Sequence, residues 1–200
     1  DKGQRKKIII YIVVISIFLL FFYFNLFNGL ENNVYDILLL IRHIFSPQKT
    51  ADVVLVTIND NSIRELGGWP LSRKVYARAI SKLEEAGAKT IGLDLIFSNS
   101  GPGDKELKKV LQKYDNIVLP VVAQLLVERG IRQETIKVSD IEIPINNFYQ
   151  HVEVGHINYI PDRDGIIRSL PLYFKYRDQN YLSFNLQLAK KYKDLHIDSF

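Results

Sequence analysis

The chain is 200 residues long with a formal net charge of +4, and about 170 residues after its apolar start suffice for one substantial core. The first 27 residues hold +3 of that charge, as Lys2, Arg5, Lys6 and Lys7 against Asp1, so the remainder lacks the basic stripe that nucleic-acid binding needs. Cysteine is absent, which excludes disulfides and thiolate chemistry; methionine is absent too, position 1 included, so the chain is expected to be a portion of a longer polypeptide.

Residues 8–30 carry no charge and come directly after the basic run Arg5-Lys6-Lys7. Such a stretch crosses a hydrocarbon core of about 30 Å as a helix of roughly 20 residues. It exceeds the apolar core of a signal peptide, and Asn25, Leu26, Phe27 and Asn28 offer no small-residue cleavage site. The basic flank predicts an inside amino terminus and an outside location for the residues beyond the helix, with membrane lipid as a partner of the flank. The expected plan is a basic tail over 1–7, a transmembrane helix over 8–27, a helical stem over 28–47 and an extracytoplasmic domain over 48–200.

In the stem, Val34, Ile37, Leu38, Ile41 and Phe45 recur at helical spacing, giving an apolar stripe that needs the following domain or a second copy against it. Ser46-Pro47 should end that helix. VVLVTI at 53–58 reads as a strand, and a helix follows from Ser72 as cap to Gly87 as terminator, with Val75, Tyr76, Ala79, Ile80 and Leu83 on one face. KTIGLDLIF at 89–97 reads as a second, doubly covered strand, making a parallel βαβ unit with the first. A short helix from Asp104 to Tyr114 shows Lys105, Lys108, Lys109 and Lys113 to water, and IVLPVVA at 117–123 is a third strand. Residues 124–150 read as loops or short edge strands. The turn 161–165, with Asp162, Asp164 and Gly165, should join 154–160 to 166–176 as an antiparallel hairpin, before a helix over 181–192. The class is α/β: a mixed sheet with a parallel βαβ core and an antiparallel hairpin, preceded by a transmembrane helix and a helical stem.

The ordered set formed by the basic tail, the apolar helix, YD at 35–36, VTINDNSIRELGGWPLSR at 56–73, EAGAKTIGLDLIF at 85–97 and DRDGIIRSLPL at 162–172 resembles the CHASE2 family of bacterial extracellular sensory domains. The resemblance implies an extracytoplasmic input module in a bacterial cell membrane. It also implies further membrane helices and an intracellular output, first an adenylate or guanylate cyclase and alternatively a histidine or serine/threonine kinase. Asn59 departs from the family pattern, which more often carries an acidic residue directly after the strand, with Asp60 following here.

Asp60 and Asp94 are the leading candidates for a ligand-binding or structural pocket, since a charge inside IGLDLIF needs a cation, donors or water. If their strands are adjacent and parallel, both carboxylates reach the crevice where α/β folds bind ligands, here a cation or cationic small molecule. The structural alternative pairs Asp94 with Arg73 or Arg168. Trp69, after Gly67-Gly68, reads as a packing anchor or a crevice shield, and Arg73, in a first helical turn, calls for an acidic partner. The turn lacks the ligand pattern of a calcium loop, and His43, His151, His156 and His196 form no zinc motif. No catalytic residue, metal or cofactor is expected. An unknown extracytoplasmic ligand or protein and a second copy of the chain are the expected partners, with an assembly module as the competing role and an outside hydrolase lacking any supporting nucleophile.

Overall fold

The computed structural model describes residues 2–23, 28–46, 52–129, 134–162 and 164–195. The chain divides into two compact units, Asp1–Val56 with Val127–Thr135, and Thr57–Leu126 with Ile136–Phe200.

The first unit contains α1 (Lys2–Tyr23), whose segment Gly3–Tyr23 is long and apolar enough to cross a membrane and has none of its span buried. Its backbone donors and acceptors pair within the helix, as a membrane-spanning segment requires. α2 (Asn28–Phe45) follows, with Glu31 in its first turn and Arg42 in its last, both favourable to the helix dipole. The stripe formed by Val34, Ile37, Leu38, Ile41 and Phe45 is exposed. The amide of Ser46 still donates to the Arg42 carbonyl at 2.8 Å. The last residues of the expected membrane span, 24–27, and Pro47 lie outside the described residues.

The expected strand over 53–58 is the main correction. Those residues are exposed and form no helix or strand, and among the described residues they join no sheet. An apolar run signals a strand by periodicity, but a strand exists only where a neighbour supplies ladder hydrogen bonds, and that neighbour is not encoded in the run itself. The parallel unit is therefore built from later elements.

The second unit begins with α3 (Asp60–Glu65), capped by Asn59, whose side chain accepts from the Ser62 amide at 3.0 Å. α4 (Arg73–Glu85) starts at Ser72, whose hydroxyl accepts from Lys74, and it buries Tyr76, Ala77 and Ile80. Ala79, expected on that face, is exposed because the buried arc is centred one residue earlier. Gly87 takes φ 83° as the expected terminator. β1 (Ile91–Gly92) is far shorter than the expected strand, and α5 (Asp104–Lys113) returns the chain to β2 (Ile117–Arg129), parallel to β1.

β3 (Glu134–Glu142) neighbours β2, so 124–150 contains more regular structure than its composition suggests; the short α6 (Asn146–Tyr149) completes it. β4 (Glu153–His156) then pairs parallel to β2. Val118 is in register with both Gly92 and Glu153, so β1 and β4 occupy opposite edges of β2. β5 (Tyr173–Tyr176) and β6 (Gln179–Leu182) form a separate antiparallel pair. The antiparallel hairpin thus exists, but it turns at Arg177-Asp178 rather than at 161–165, because 154–156 are already paired with β2. α7 (Phe184–Lys193), capped by Ser183, begins after the expected start since Tyr181 and Leu182 finish β6.

Alternate residues of β2 face two apolar layers, as in a doubly covered strand. Ile117 and Leu119 join Ile80, Leu107, Leu111 and Phe148 in a core beneath α4 and α5. Val118 shares the opposite face with Gly92, and Pro120 shares it with Gly155. α7 lies on that face: a Cβ added to Gly92 would meet Leu188 Cδ1 at 2.9 Å, and one added to Gly155 would meet Phe184 Cα at 2.5 Å. A second core joins Val121, Ala123, Ile141, Phe174 and Tyr181.

Candidate functional site

Asp60 opens α3, where a carboxylate favours the helix dipole, and Asp94 lies in the loop after β1; both are exposed. Among the described residues, neither carboxylate has a hydrogen-bond or ion-pair partner in the protein. The arrangement that would have placed them at the ends of adjacent parallel strands is not formed, because 53–58 joins no sheet. Asp94 is exposed, so its charge is not buried as its place in an apolar run implies.

Both expected arginine partners are committed elsewhere. The Arg73 guanidinium, with only 12% of its side chain exposed, bonds the Asp104 carboxylate and the Asn99 carbonyl. It also lies over the rings of Phe97 and Phe148, at 5.2 and 5.4 Å from their centroids. Asp104 in turn accepts from the Gly101 amide at 3.0 Å, so Arg73 ties the loop before α5 to the start of α4. The acidic partner anticipated for Arg73 is real, but it is Asp104 rather than Asp94.

Arg168 reaches back to the turn, donating to Asp162 at 2.7 Å and to Asp164 at 2.8 Å. This pairing is the main reason the Asp164 carboxyl is held below its usual range, with the Ile166 amide adding to it. The Gly165 amide donates to the Asp162 carbonyl at 2.9 Å, with Gly165 at φ 84°, so the turn is present without the arms forming a ladder across it. Arg163 lies outside the described residues. Trp69 is 60% exposed, which corrects the packing-anchor reading: Leu71, two residues on, fills the space beneath the start of α4.

The structure brings together a different set. An open cleft of about 500 Å³ lies between the end of β3 and the β5–β6 hairpin, lined by Asp140, Ile141 and Ile143 on one side and by residues 176–179 with Tyr181 on the other. The Tyr176 hydroxyl donates to Asp140 Oδ1 at 3.3 Å, and the same oxygen accepts from the Ile141 amide at 2.9 Å. Tyr181 donates to Gln179 Oε1 at 3.2 Å, and Gln179 Nε2 donates to the Tyr149 hydroxyl at 3.2 Å. Burial first, and the Tyr149 hydroxyl second, push Tyr181 up to about 12, which keeps its proton in place. Arg177 sits at φ 53° with its guanidinium 5.1 Å from the Tyr176 ring centre. None of these residues carries a motif; Asp140 and Tyr176 lie 36 residues apart and meet only through the tertiary fold, and the density of tyrosine around 173–181 is the trace in the sequence.

Behind the hairpin, His156 is 2% exposed, with its ring centroid 4.4 Å from that of Phe174. Neither ring nitrogen makes a well-formed hydrogen bond. Burial pushes its pKa down to about 4, against a smaller opposing pull from the Pro171 carbonyl. Among the described residues, no group of three or more His, Asp or Glu is placed to hold a metal ion.

Comparison with curated proteins and with solved structures finds no match. The family model of the CHASE2 domain matches residues 10–199, taking in the apolar helix, the α/β unit and the cleft. With nearly the whole chain inside that match, the protein belongs to the CHASE2 domain family, whose members are sensory domains of extracellular type and not catalysts.

Proposed function

We propose that the chain is the extracytoplasmic signal-input part of a bacterial transmembrane receptor, anchored by α1 with its amino terminus in the cytoplasm. The observation that carries this reading is the direct succession of an unburied apolar helix, Gly3–Tyr23, the amphipathic α2 and a sensory-family α/β unit. Arg5, Lys6 and Lys7 before the apolar run support the inside orientation. A stimulus that binds one of two arrangements of the domain more tightly shifts their populations, and α2 is the covalent route from the domain to α1. Family membership supports an intracellular output, with an adenylate or guanylate cyclase placed first and a histidine or serine/threonine kinase second.

The topology has a direct test, because the chain has no cysteine and an introduced one is unique. In intact cells a membrane-impermeant maleimide should label Ser100→Cys, at an exposed loop position, and not Gln4→Cys. Labelling of Gln4→Cys with protection of Ser100→Cys would overturn the orientation.

A second copy is the proposed partner of α2. Val34, Leu38, Ile41 and Phe45 are exposed at alternating four- and three-residue spacing, the period of a two-helix seam. Leu38→Cys should therefore cross-link to a dimer in membranes under mild oxidation, whereas a monomer under those conditions would remove α2 as the contact. This face is also what favours the competing assembly role, in which the domain joins copies without sensing anything.

A further inference from the structure

We propose that the cleft between β3 and the β5–β6 hairpin binds a small molecule carrying a primary ammonium group. This rests on the signal-input reading, of which it names the stimulus class.

The cleft's size, about 500 Å³, falls within the roughly 300 to 1,000 Å³ of small-molecule sites. Its wall combines apolar surface from Ile141 and Ile143 with the rings of Tyr176 and Tyr181 and a few polar groups. The lining holds two exposed carboxylates, Asp140 and Asp178, and one guanidinium, Arg177, and so carries one net negative charge at neutral pH.

The polar groups are unequally engaged. Asp140 Oδ1 already accepts from Tyr176 and from the Ile141 amide, which fixes the carboxylate in place. Its Oδ2 has no donor among the described residues, and neither has either oxygen of Asp178. Arg177 is stacked on the Tyr176 ring and is not paired with either aspartate. The site therefore offers one acceptor held in place, Asp140, and a second, unengaged one, Asp178, beside aromatic faces, and a compact cation with several N–H donors satisfies both. An anion would meet two carboxylates against a single arginine.

The residues that shape the site are rigidly supported. Tyr181 is buried against the core that contains Val121 and Phe174, and its bond to Gln179 continues to Tyr149 on α6. Arg177 holds a left-handed backbone conformation at the tip of the hairpin, which sets the directions of the flanking Tyr176 and Asp178.

Two sources supply the shared chemistry: amino acids, whose carboxylate would fall to Arg177, and amines without a carboxylate. Titration calorimetry on the full chain in lipid nanodiscs, with L-alanine, putrescine, methylammonium and propionate, separates them. At least one of the three ammonium compounds is expected to bind and propionate is not. Asp140→Asn and Asp178→Asn should each weaken binding at least about tenfold, as loss of a charge-assisted contact does. Binding of L-alanine that is lost in Arg177→Gln assigns an amino acid; binding of putrescine or methylammonium that survives Arg177→Gln assigns an amine. Circular dichroism of each variant verifies that it is folded, and Asp94→Asn, outside the cleft, should bind like the parent chain. Absence of binding by all three ammonium compounds, or binding unchanged in both Asn variants, overturns the proposal. Neither result touches the orientation of α1, which the labelling experiment decides separately.

Discussion

The side-chain amide of Asn158 pairs with the backbone of Ala123 at both ends, Nδ2 donating to the Ala123 carbonyl at 2.6 Å and Oδ1 accepting from the Ala123 amide at 2.7 Å. β4 ends at His156, and the Ile157 amide still reaches the Val121 carbonyl at 3.1 Å. Asn158 thus extends the edge pairing of β2 by one more step with a side chain standing in for a peptide group. Replacing it by Leu leaves two part-buried backbone groups without partners, and Asn158→Leu should lower unfolding stability by about 1–3 kcal/mol. Asn158→Asp keeps the acceptor but turns a carboxylate oxygen on the Ala123 carbonyl in place of the donor, so it too should be less stable than the parent. Urea midpoints at constant slope are the measurement.

Gly155 gives a separate expectation. The absent side chain is what lets α7 start directly over β4, since a Cβ there would meet Phe184 Cα at 2.5 Å, and backbone cannot swing aside as a flexible side chain can. Gly155→Ala should destabilise by about 1–3 kcal/mol through overpacking. Gly92→Ala meets only the ends of Leu188 and Phe184, at 2.9 to 3.1 Å, and should cost less. Thermal unfolding of the two variants in parallel checks the order.

Arg73 bonds a carboxylate and a carbonyl while lying over two rings, which a lysine ammonium does not reproduce. Arg73→Lys should lose about 1.5–3 kcal/mol. The loop 98–103 should also become the first site of limited proteolysis. Equal cleavage rates in parent and variant would show that this loop does not depend on the arginine.

His156 sets a pH window. Its folded pKa of about 4 lies below the ordinary value of 6.5, so the unfolded chain takes up the proton first. The stability associated with the neutral, buried ring is fully present above pH 6.5 and is lost as the pH falls from there to about 4. Over that interval the loss is of order 3 kcal/mol at about 1.36 kcal/mol per unit. In His156→Phe this contribution should vanish, so the difference in stability between parent and variant should change across the window and level off on either side. Denaturant unfolding at half-unit pH steps measures it.

Local chemistry is legible in the sequence wherever a residue acts on its immediate neighbours. Ser72 caps α4, Gly87 ends it and Asp104 opens α5 as expected, because capping and positive φ are decided within a few residues. Pairing is not legible in the same way. VVLVTI at 53–58 has the apolar pattern of a buried strand, yet β2 takes β1, β3 and β4 as its neighbours. The hairpin turn at Arg177-Asp178 contains no glycine or asparagine, the residues that mark left-handed turns, so the turn at 161–165 carries the stronger signal without forming the hairpin. Arg73 announces its need for an acid by its position on α4, while the choice between Asp94 and Asp104 depends on where the loop before α5 returns. The cleft is hidden for a related reason: Asp140 and Tyr176 stand 36 residues apart, with β4 between them in the chain.

The place of β4 late in the chain orders the growth of the domain during synthesis. As the chain is made from its amino terminus, α4, β1, α5 and β2 emerge with one edge of β2 unpaired, and the face that α7 covers stays bare until residues 184–193 have emerged. Closure of the sheet depends on contacts distant in sequence, between 118–121 and 153–156, a kind of contact that slows folding. The sheet and the helix that covers it are therefore complete only once Phe184 can settle over Gly155.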